Sequence, residues 1–301
     1  MTKMLVFTEF GGPETQEFVD QDFPAPKGAQ VAIQVKAAGV NPADWKIRTG
    51  QMGDHWQLPA PMGREAAGIV TAIGEKVEDF AVGDEVLGLA ATGHGTFAEH
   101  TVLNANQIVA KPEELSFADA AALPVAGGTA YDVTHQIELE PGQTMVILGA
   151  GGGVGLMAAQ IGKVHQFNVI GVASASKQQL IEAIGATFVE SGDGAADRVR
   201  EIAPEGADVL IDLVGGDALR EIAPVAKDPG LIISTADPAT AEELGGAGVQ
   251  RTKEGVAKIT EVAEYGLITP NVMERFSLHD VQQAIASVED GHAAGKVIIE
   301  P

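Results

Sequence analysis

The sequence predicts an α/β protein in two parts, a β-rich unit and then a parallel sheet covered on both faces by helices. Three observations predict it. Short β-like runs separated by Gly, Pro and Asp fill roughly the first 110 residues, the spacing expected of a compact or barrel-like β unit. From about residue 117 strand-like and helix-like runs alternate, the rhythm of a parallel sheet with crossover helices. A lone strand-like run closes the chain and needs a partner, for which the first unit is the nearest β-rich candidate.

The β-like runs are Lys3–Thr8, Val31–Ala37, Gly68–Ile73, Glu85–Leu89 and Thr96–Leu103. Phe117–Leu123 and Thr129–Ile137 read as helices, and Thr144–Leu148 as a buried strand. The alternation continues with helix Gly155–Val164, strand Asn168–Ala173, helix Lys177–Ile184, strand Phe188–Glu190 and helix Ala195–Ile202. Strand Val209–Val214, helix Ala218–Val225 and strand Leu231–Ser234 follow. Pro238–Gly248 is the loosest stretch, with Ala247–Gln250 as a candidate sixth strand. Ser277 opens a helix at Leu278–Glu289, and strand Lys296–Glu300 ends the chain.

Composition removes several classes of chemistry. The 301 residues contain no cysteine, which excludes disulfides, thiolate nucleophiles and cysteine-ligated metal. A net charge of −23 argues against nucleic acid and anionic membranes, because phosphate-tracking surfaces need clustered Lys and Arg. The acidity reads as a solubility feature. No apolar run approaches the roughly 20 residues of a bilayer-spanning helix, and Met1–Phe10 lacks a secretory pattern. The expected location is cytoplasmic, without membrane insertion.

The strongest local signal is Thr144–Gln160, where an apolar strand runs into five glycines within seven residues and then into a helix. A dinucleotide pyrophosphate needs this arrangement. Glycines let the backbone approach the phosphates, and the helix N-terminus offers free N–H groups and a positive dipole end. Against G-x-G-x-x-G the register is Ala150, Gly152, Gly155, so Gly152, Gly153, Val154 and Gly155 become candidate cofactor residues. Strands before and after at the right distance support the reading over mere tight packing. At the end of the second strand, where NAD sites usually place an acid, stand Ala173, Ser174, Ala175, Ser176 and Lys177. No carboxylate there repels a 2′-phosphate; Ser174 and Ser176 can donate to it and Lys177 can neutralise it. NADPH is therefore the expected cofactor, the bland alternative being that Lys177 simply opens a helix in solvent. Val214 and Ser234, at the ends of the next two strands, complete the candidate set.

Several segments together resemble the zinc-free quinone oxidoreductase (zeta-crystallin-like) branch of the medium-chain dehydrogenase/reductase superfamily. They are Gly39–Asp44, Gly63–Gly68, Val82–Val86, Gly95–Glu99, Ala122–Pro124, Thr129–Tyr131, the glycine turn and Gly295–Val297, and they cover nearly the whole chain. The resemblance implies a GroES-like catalytic domain, residues 1–116 completed by 267–301, and a Rossmann NADP(H)-binding domain, residues 117–266. It also implies that Asn41 lies beside nicotinamide and substrate and that Thr129 contacts the nicotinamide side. Zinc-dependent relatives carry cysteine at Asn41, histidine at Arg64 and a cysteine or acid near Val125; an amide, a guanidinium and an isopropyl group make no zinc site. Without a Lewis acid, hydride transfer to an intrinsically electrophilic quinone or activated enone is the expected chemistry. Lys46 stands where relatives often have tyrosine and is the candidate oxyanion donor beside Asn41, a solvated lysine being the alternative. Gly192 replaces a tyrosine that often helps grip the 2′-phosphate, leaving more of that work to Ser174 and Lys177. The expected partner is a small-molecule acceptor, and relatives that pair through the edge strand make a homodimer plausible. An enoyl-thioester or 2-alkenal reductase and a non-catalytic NADPH-binding sensor or structural protein stay open as alternatives.

Overall fold

A computed structural model describes residues 1–301 except Pro24 and His292, one of the seven histidines. The chain divides into two compact units, Met1–Val125 with Val272–Pro301, and Ala126–Asn271. The first boundary falls at Val125, not at residue 116. Helix Phe117–Ala121 packs on strands Gln30–Val40 and Glu65–Ile73, and its Ala118, Ala120 and Ala121 are buried there.

In the first unit Gln30–Val40 is the organising strand. It pairs along its length with Glu65–Ile73, its first half also with His100–Ala110, and its last residues with Lys296–Glu300. Glu85–Ala90 bridges Glu65–Ile73 and His100–Ala110, which closes the sheet on itself. Leu5, Phe7, Ile33, Val35, Phe97 and Leu103 fill the core, each burial contributing roughly 1.5–3 kcal/mol. The final strand thus finds its partner in the first unit. A second partner, the parallel strand Val272–Ser277, is not read from the sequence because Glu274 and Arg275 interrupt its apolar pattern.

Thr2–Phe7, Gln16–Gln21 and Ala60–Pro61 make a small separate antiparallel sheet. The expected strand at Thr96–Leu103 begins only at His100, because Phe97 and Ala98 turn to pair with Leu5 and Met4 of this small sheet. Arg48 is fully buried nearby. Its guanidinium donates to both carboxylate oxygens of Glu289 at 2.8 Å and to Gly11 O at 3.1 Å, tying helices Pro42–Arg48 and Val281–Glu289 to one loop.

In the second unit six parallel strands run in the order Thr187–Glu190, Asn168–Ala173, Thr144–Leu148, Val209–Asp212, Ile232–Ser234 and Ala247–Gly248. Val146, Leu148, Ile170, Val172 and Leu210 lie in its core. The order reverses beside Thr144–Leu148, and in such sheets ligands bind outside the carboxyl ends of the strands at the reversal. Asp237 caps a helix at Pro238–Glu243 by accepting from Thr240 N–H at 3.1 Å, within the stretch that reads as loosest in the sequence. Helix Gly255–Glu264 is likewise found only in the structure. Ser277 stands at the cap position of the helical run as expected, but its side chain makes no capping hydrogen bond. Its hydroxyl donates to Asp280 at 2.6 Å, and a tight single turn, Leu278–Asp280, precedes helix Val281–Glu289. Among the described residues no helix is long and apolar enough to cross a membrane.

Candidate functional site

The glycine turn occupies the carboxyl end of strand Thr144–Leu148 in the second unit. Gly149 and Ala150 donate to Val172 O at 2.9 and 3.2 Å, which fastens the turn to the neighbouring strand. Gly149 has φ +87°, a left-handed conformation that glycine adopts without strain. Gly152 is the cap of helix Gly153–Val164, so the N–H groups of Gly153, Val154 and Gly155 lie in the first turn, where no intrahelical acceptor exists. A Cβ on Gly155 would overlap Gly149 O and Ala150, so this residue brings the helix against the strand end. A Cβ on Gly152 would meet nothing nearer than Gly149 O at 3.7 Å. The protein's own packing therefore does not demand glycine at 152, and the cradle left there fits a ligand phosphate.

The other predicted residues of this unit sort themselves around the turn. Ser174 and Ser176 are exposed with their hydroxyl oxygens 3.1 Å apart. Lys177 is buried, and its stem lies over Gly151, where a Cβ would strike Lys177 Cβ and Cγ. These three are thus gathered beside the turn at the end of strand Asn168–Ala173. Val214 is exposed, with Cγ2 next to Gly149.

Ser234 differs. It is buried, donates to Asp212 Oδ2 at 2.5 Å and accepts from Asp237 N–H at 2.9 Å, so its hydroxyl is engaged inside the protein. The buried Asp212 also accepts the N–H groups of Val214 and Gly215 at 3.0 and 2.8 Å, so it positions the loop that carries Val214. Sequence reading passed over Asp212, although an acid ending an apolar strand is a visible signal. Thr129 is buried and accepts a hydrogen bond from Arg251, a residue with no motif to mark it.

Asn41 and Lys46 belong to the first unit. Asn41 closes strand Gln30–Val40 and caps helix Pro42–Arg48, and it is buried. Its amide is held at both ends: Oδ1 accepts from Lys296 Nζ at 2.8 Å, and Nδ2 donates to Glu65 Oε1 at 2.7 Å. Lys296 also donates to Glu65 Oε1 at 2.7 Å and Val40 O at 3.1 Å, so all three ammonium protons find acceptors. Glu65 Oε2 accepts Val125 N–H at 2.6 Å. Asn41 and Val125, two of the three positions that the resemblance compares with zinc ligands, thus meet at a buried ion pair. The third, Arg64, is exposed with its guanidinium 5.8 Å from the Trp56 ring. Lys46 lies with Nζ 5.8 Å from the Trp45 ring, apart from the Asn41 amide network. Among the described residues no group of three or more His, Asp or Glu side chains is arranged to hold a metal ion.

Asp44, in the sequence only the end of the segment Gly39–Asp44, lies beside Asn41. Its Oδ2 accepts Asn41 N–H at 2.8 Å, while the buried Oδ1 has no partner among the described residues. Burial pushes its carboxyl up to about 7, against the lowering effects of the Asn41 N–H, Arg64 and Lys296.

Comparison with known proteins agrees with this architecture. Residues 27–113 match the alcohol dehydrogenase GroES-like domain family, and residues 184–299 match the zinc-binding dehydrogenase family. The chain is 32% identical to a 2-methylene-furan-3-one reductase of Solanum lycopersicum, over 98% of this chain and 78% of that protein. It is 31% identical to a quinone oxidoreductase of Lama guanicoe, over 97% of this chain and 95% of that one. The solved Escherichia coli quinone oxidoreductase, complexed with NADPH, superimposes with a TM-score of 0.90 at 25% identity, covering 99% of this chain and 100% of that chain. With its two-unit architecture, its glycine turn and these full-length likenesses, the chain belongs to the quinone oxidoreductase family of the medium-chain dehydrogenase/reductase superfamily.

Proposed function

We propose that the protein is an NADPH-dependent reductase that transfers hydride to a quinone or activated enone without a metal. The observation that carries this is the turn at Gly149–Gly155 with Ser174, Ser176 and Lys177 gathered beside it and no carboxylate at that strand end. Gly152 to Gly155 would hold the pyrophosphate at a helix N-terminus, and Lys177 with the two serines would hold the 2′-phosphate. Bound there, NADPH would supply the hydride. Residues holding an electrophilic acceptor then have to position it, exclude water and stabilise the oxygen that gains charge. The names of the two relatives, a quinone oxidoreductase and an enone reductase, support the acceptor class. The chemistry of Asn41, Arg64 and Val125 supports the metal-free route.

The purified protein is expected to oxidise NADPH with benzoquinones or small enones, at a rate unchanged by a chelator, and to ignore crotonyl thioesters. Turnover of crotonyl thioesters alone would instead favour the enoyl-thioester alternative. Binding of NADPH with no turnover across the whole panel would favour a non-catalytic sensor or structural role.

The phosphate assignment has its own test. A charge-assisted hydrogen bond contributes about 1.5–3 kcal/mol. Lys177→Met should therefore weaken NADPH binding roughly 10- to 100-fold, at about 1.4 kcal/mol per tenfold. NADH affinity should stay the same. Equal losses for both cofactors, measured by titration, would assign Lys177 a merely structural role over Gly151.

A further inference from the structure

Two imidazoles meet on the surface of the second unit. His135 is the last residue of helix Gly128–His135, and His165 is the cap that follows helix Gly153–Val164. The two helices pack together, which brings the rings side by side with centroids 5.2 Å apart and planes at 78°. Both histidines are exposed. No spacing in the sequence marks the pair, because its members belong to different helices.

Each ring is oriented by its own neighbours. Tyr131 stacks on His135 at 4.0 Å between centroids, and Phe167 stacks on His165 at 5.5 Å. His135 Nδ1 lies 2.8 Å from Tyr131 O. A carbonyl only accepts, so Nδ1 carries the proton, and the neutral ring keeps its lone pair on Nε2. The Thr134 hydroxyl, 3.1 Å from the same nitrogen, donates to Ala130 O at 2.8 Å and so leaves this proton to the imidazole. A ring N–H donating to a backbone carbonyl is the arrangement that fixes the tautomer of metal-binding histidines. Partial burial, and then the neighbouring His135, lower the pKa of His165, so this ring also keeps a lone pair at neutral pH.

Geometry and electrostatics agree on a cation. An imidazole nitrogen binds zinc at about 2.0–2.1 Å, which puts the ring centre about 3.2 Å from the ion; at the tetrahedral angle two such centres stand about 5.2 Å apart. The two rings have that separation. Both histidines also stand at helix C-termini, where unpaired carbonyls and the negative end of the dipole favour positive charge.

We propose that His135 and His165 form a binding site for a late first-row divalent cation, Zn²⁺ or Cu²⁺, which clamps the ends of the two helices together. Imidazole suits these ions, whereas carboxylates and carbonyls suit Mg²⁺ and Ca²⁺, and the chain has no cysteine to compete. Two protein ligands leave the other coordination positions to water or a small anion, so the site is an open one. It takes no part in the metal-free reduction proposed above. The glycine turn precedes the opposite end of helix Gly153–Val164, whose 12 residues span about 18 Å at 1.5 Å each.

The test uses the full chain, with zinc chloride and copper sulfate as probes and excess Mg²⁺ to occupy the abundant Asp and Glu carboxylates. Calorimetry should show one site per chain. Zinc at about 100 times its Kd should raise the melting temperature by roughly 5–10 °C. The electron paramagnetic resonance spectrum of bound Cu²⁺ should carry coupling to a pair of imidazole nitrogens. His135→Asn keeps an N–H that can donate to Tyr131 O, and His165→Phe keeps a ring on Phe167. Each should weaken Zn²⁺ binding at least about tenfold, the lower end of what loss of even a supporting residue costs a metal site. Each should also cut the copper coupling to a single nitrogen, which a merely structural role for these rings does not predict. No heat of binding, unchanged affinity in both folded variants, or a copper spectrum without nitrogen coupling overturns the proposal. Should a variant misfold, nuclear magnetic resonance of the wild type's seven histidines decides. Substoichiometric Zn²⁺ that moves the ring signals of His135 and His165 alone supports the site; signals that stay, or that move at other histidines, sink it.

Discussion

Replacing Lys296 with methionine is expected to destabilise the protein by about 3–5 kcal/mol, the usual result of removing one partner from a buried ion pair. The pair is fully enclosed, with side-chain exposure of 3% for Lys296 and 0% for Glu65. Methionine matches the length of the lysine stem, so packing is little changed, but the Glu65 carboxylate loses the cation that balances it. Val40 O and Asn41 Oδ1 lose their donor at the same time. For a unit of this size about 2–4 °C of melting temperature accompanies each kcal/mol, so a drop of roughly 6–20 °C should be seen.

Adding Glu65→Gln to Lys296→Met should recover more than half of the loss. It removes the stranded charge, and the Gln amide can donate to the Asn41 oxygen that Lys296 leaves. Recovery cannot be complete, because one Gln oxygen must replace two carboxylate oxygens that accept from Asn41 Nδ2 and Val125 N–H. Denaturant unfolding of the two single variants and the double variant measures this directly. A loss under about 1 kcal/mol for Lys296→Met would show that water reaches the pair, since that is the worth of an exposed ion pair.

The glycine turn should split into two kinds of glycine when each is changed to alanine. At Gly155 the new Cβ would overlap backbone atoms of Gly149 and Ala150, which cannot move aside as a side chain tip can. Overpacking of this sort costs typically 1–3 kcal/mol or more and shifts the turn, so Gly155→Ala should lose both stability and NADPH binding. At Gly152 the same Cβ has open space beyond 3.7 Å. Gly152→Ala should therefore lose no more than about 1 kcal/mol of stability, the difference expected between Gly and Ala at a helix cap. Its NADPH affinity should nevertheless fall at least tenfold, or about 1.4 kcal/mol, because the Cβ stands where a pyrophosphate must approach the backbone. Wild-type affinity in a well-folded Gly152→Ala protein would mean that the phosphates bind elsewhere.

Much of this architecture is written locally. Strands Thr144–Leu148, Asn168–Ala173 and Lys296–Glu300 and helix Ala195–Ile202 begin and end where apolar pattern and flanking Gly, Asn and Ser place them. The glycine turn is equally local, since a run of glycines between an apolar strand and a helix has few other uses. Short or edge elements were harder to read, as with Val272–Ser277 and Pro238–Glu243, because partners far along the chain supply their stability.

What the sequence by itself determined is the strand–helix alternation from Thr144 to Ser234 and the dinucleotide turn, and its resemblance to a zinc-free family pointed to Asn41, Arg64 and Val125. It also marked Gly39–Asp44, which holds Asn41 and Asp44, as one of the segments that carry the resemblance. Only the tertiary structure decided what those groups do there. Lys296 and Glu65 are 231 positions apart, and only closure of the sheet through Gln30–Val40 brings them to one amide. Likewise Asp44 is an ordinary helix-capping acid in sequence. Its buried, unpartnered oxygen belongs to a residue that lines one cavity with Phe7, Ile47 and Met62, drawn from three separate segments. Burial is a property of the whole packed unit, and it is burial that turns a charged cap into a neutral carboxyl.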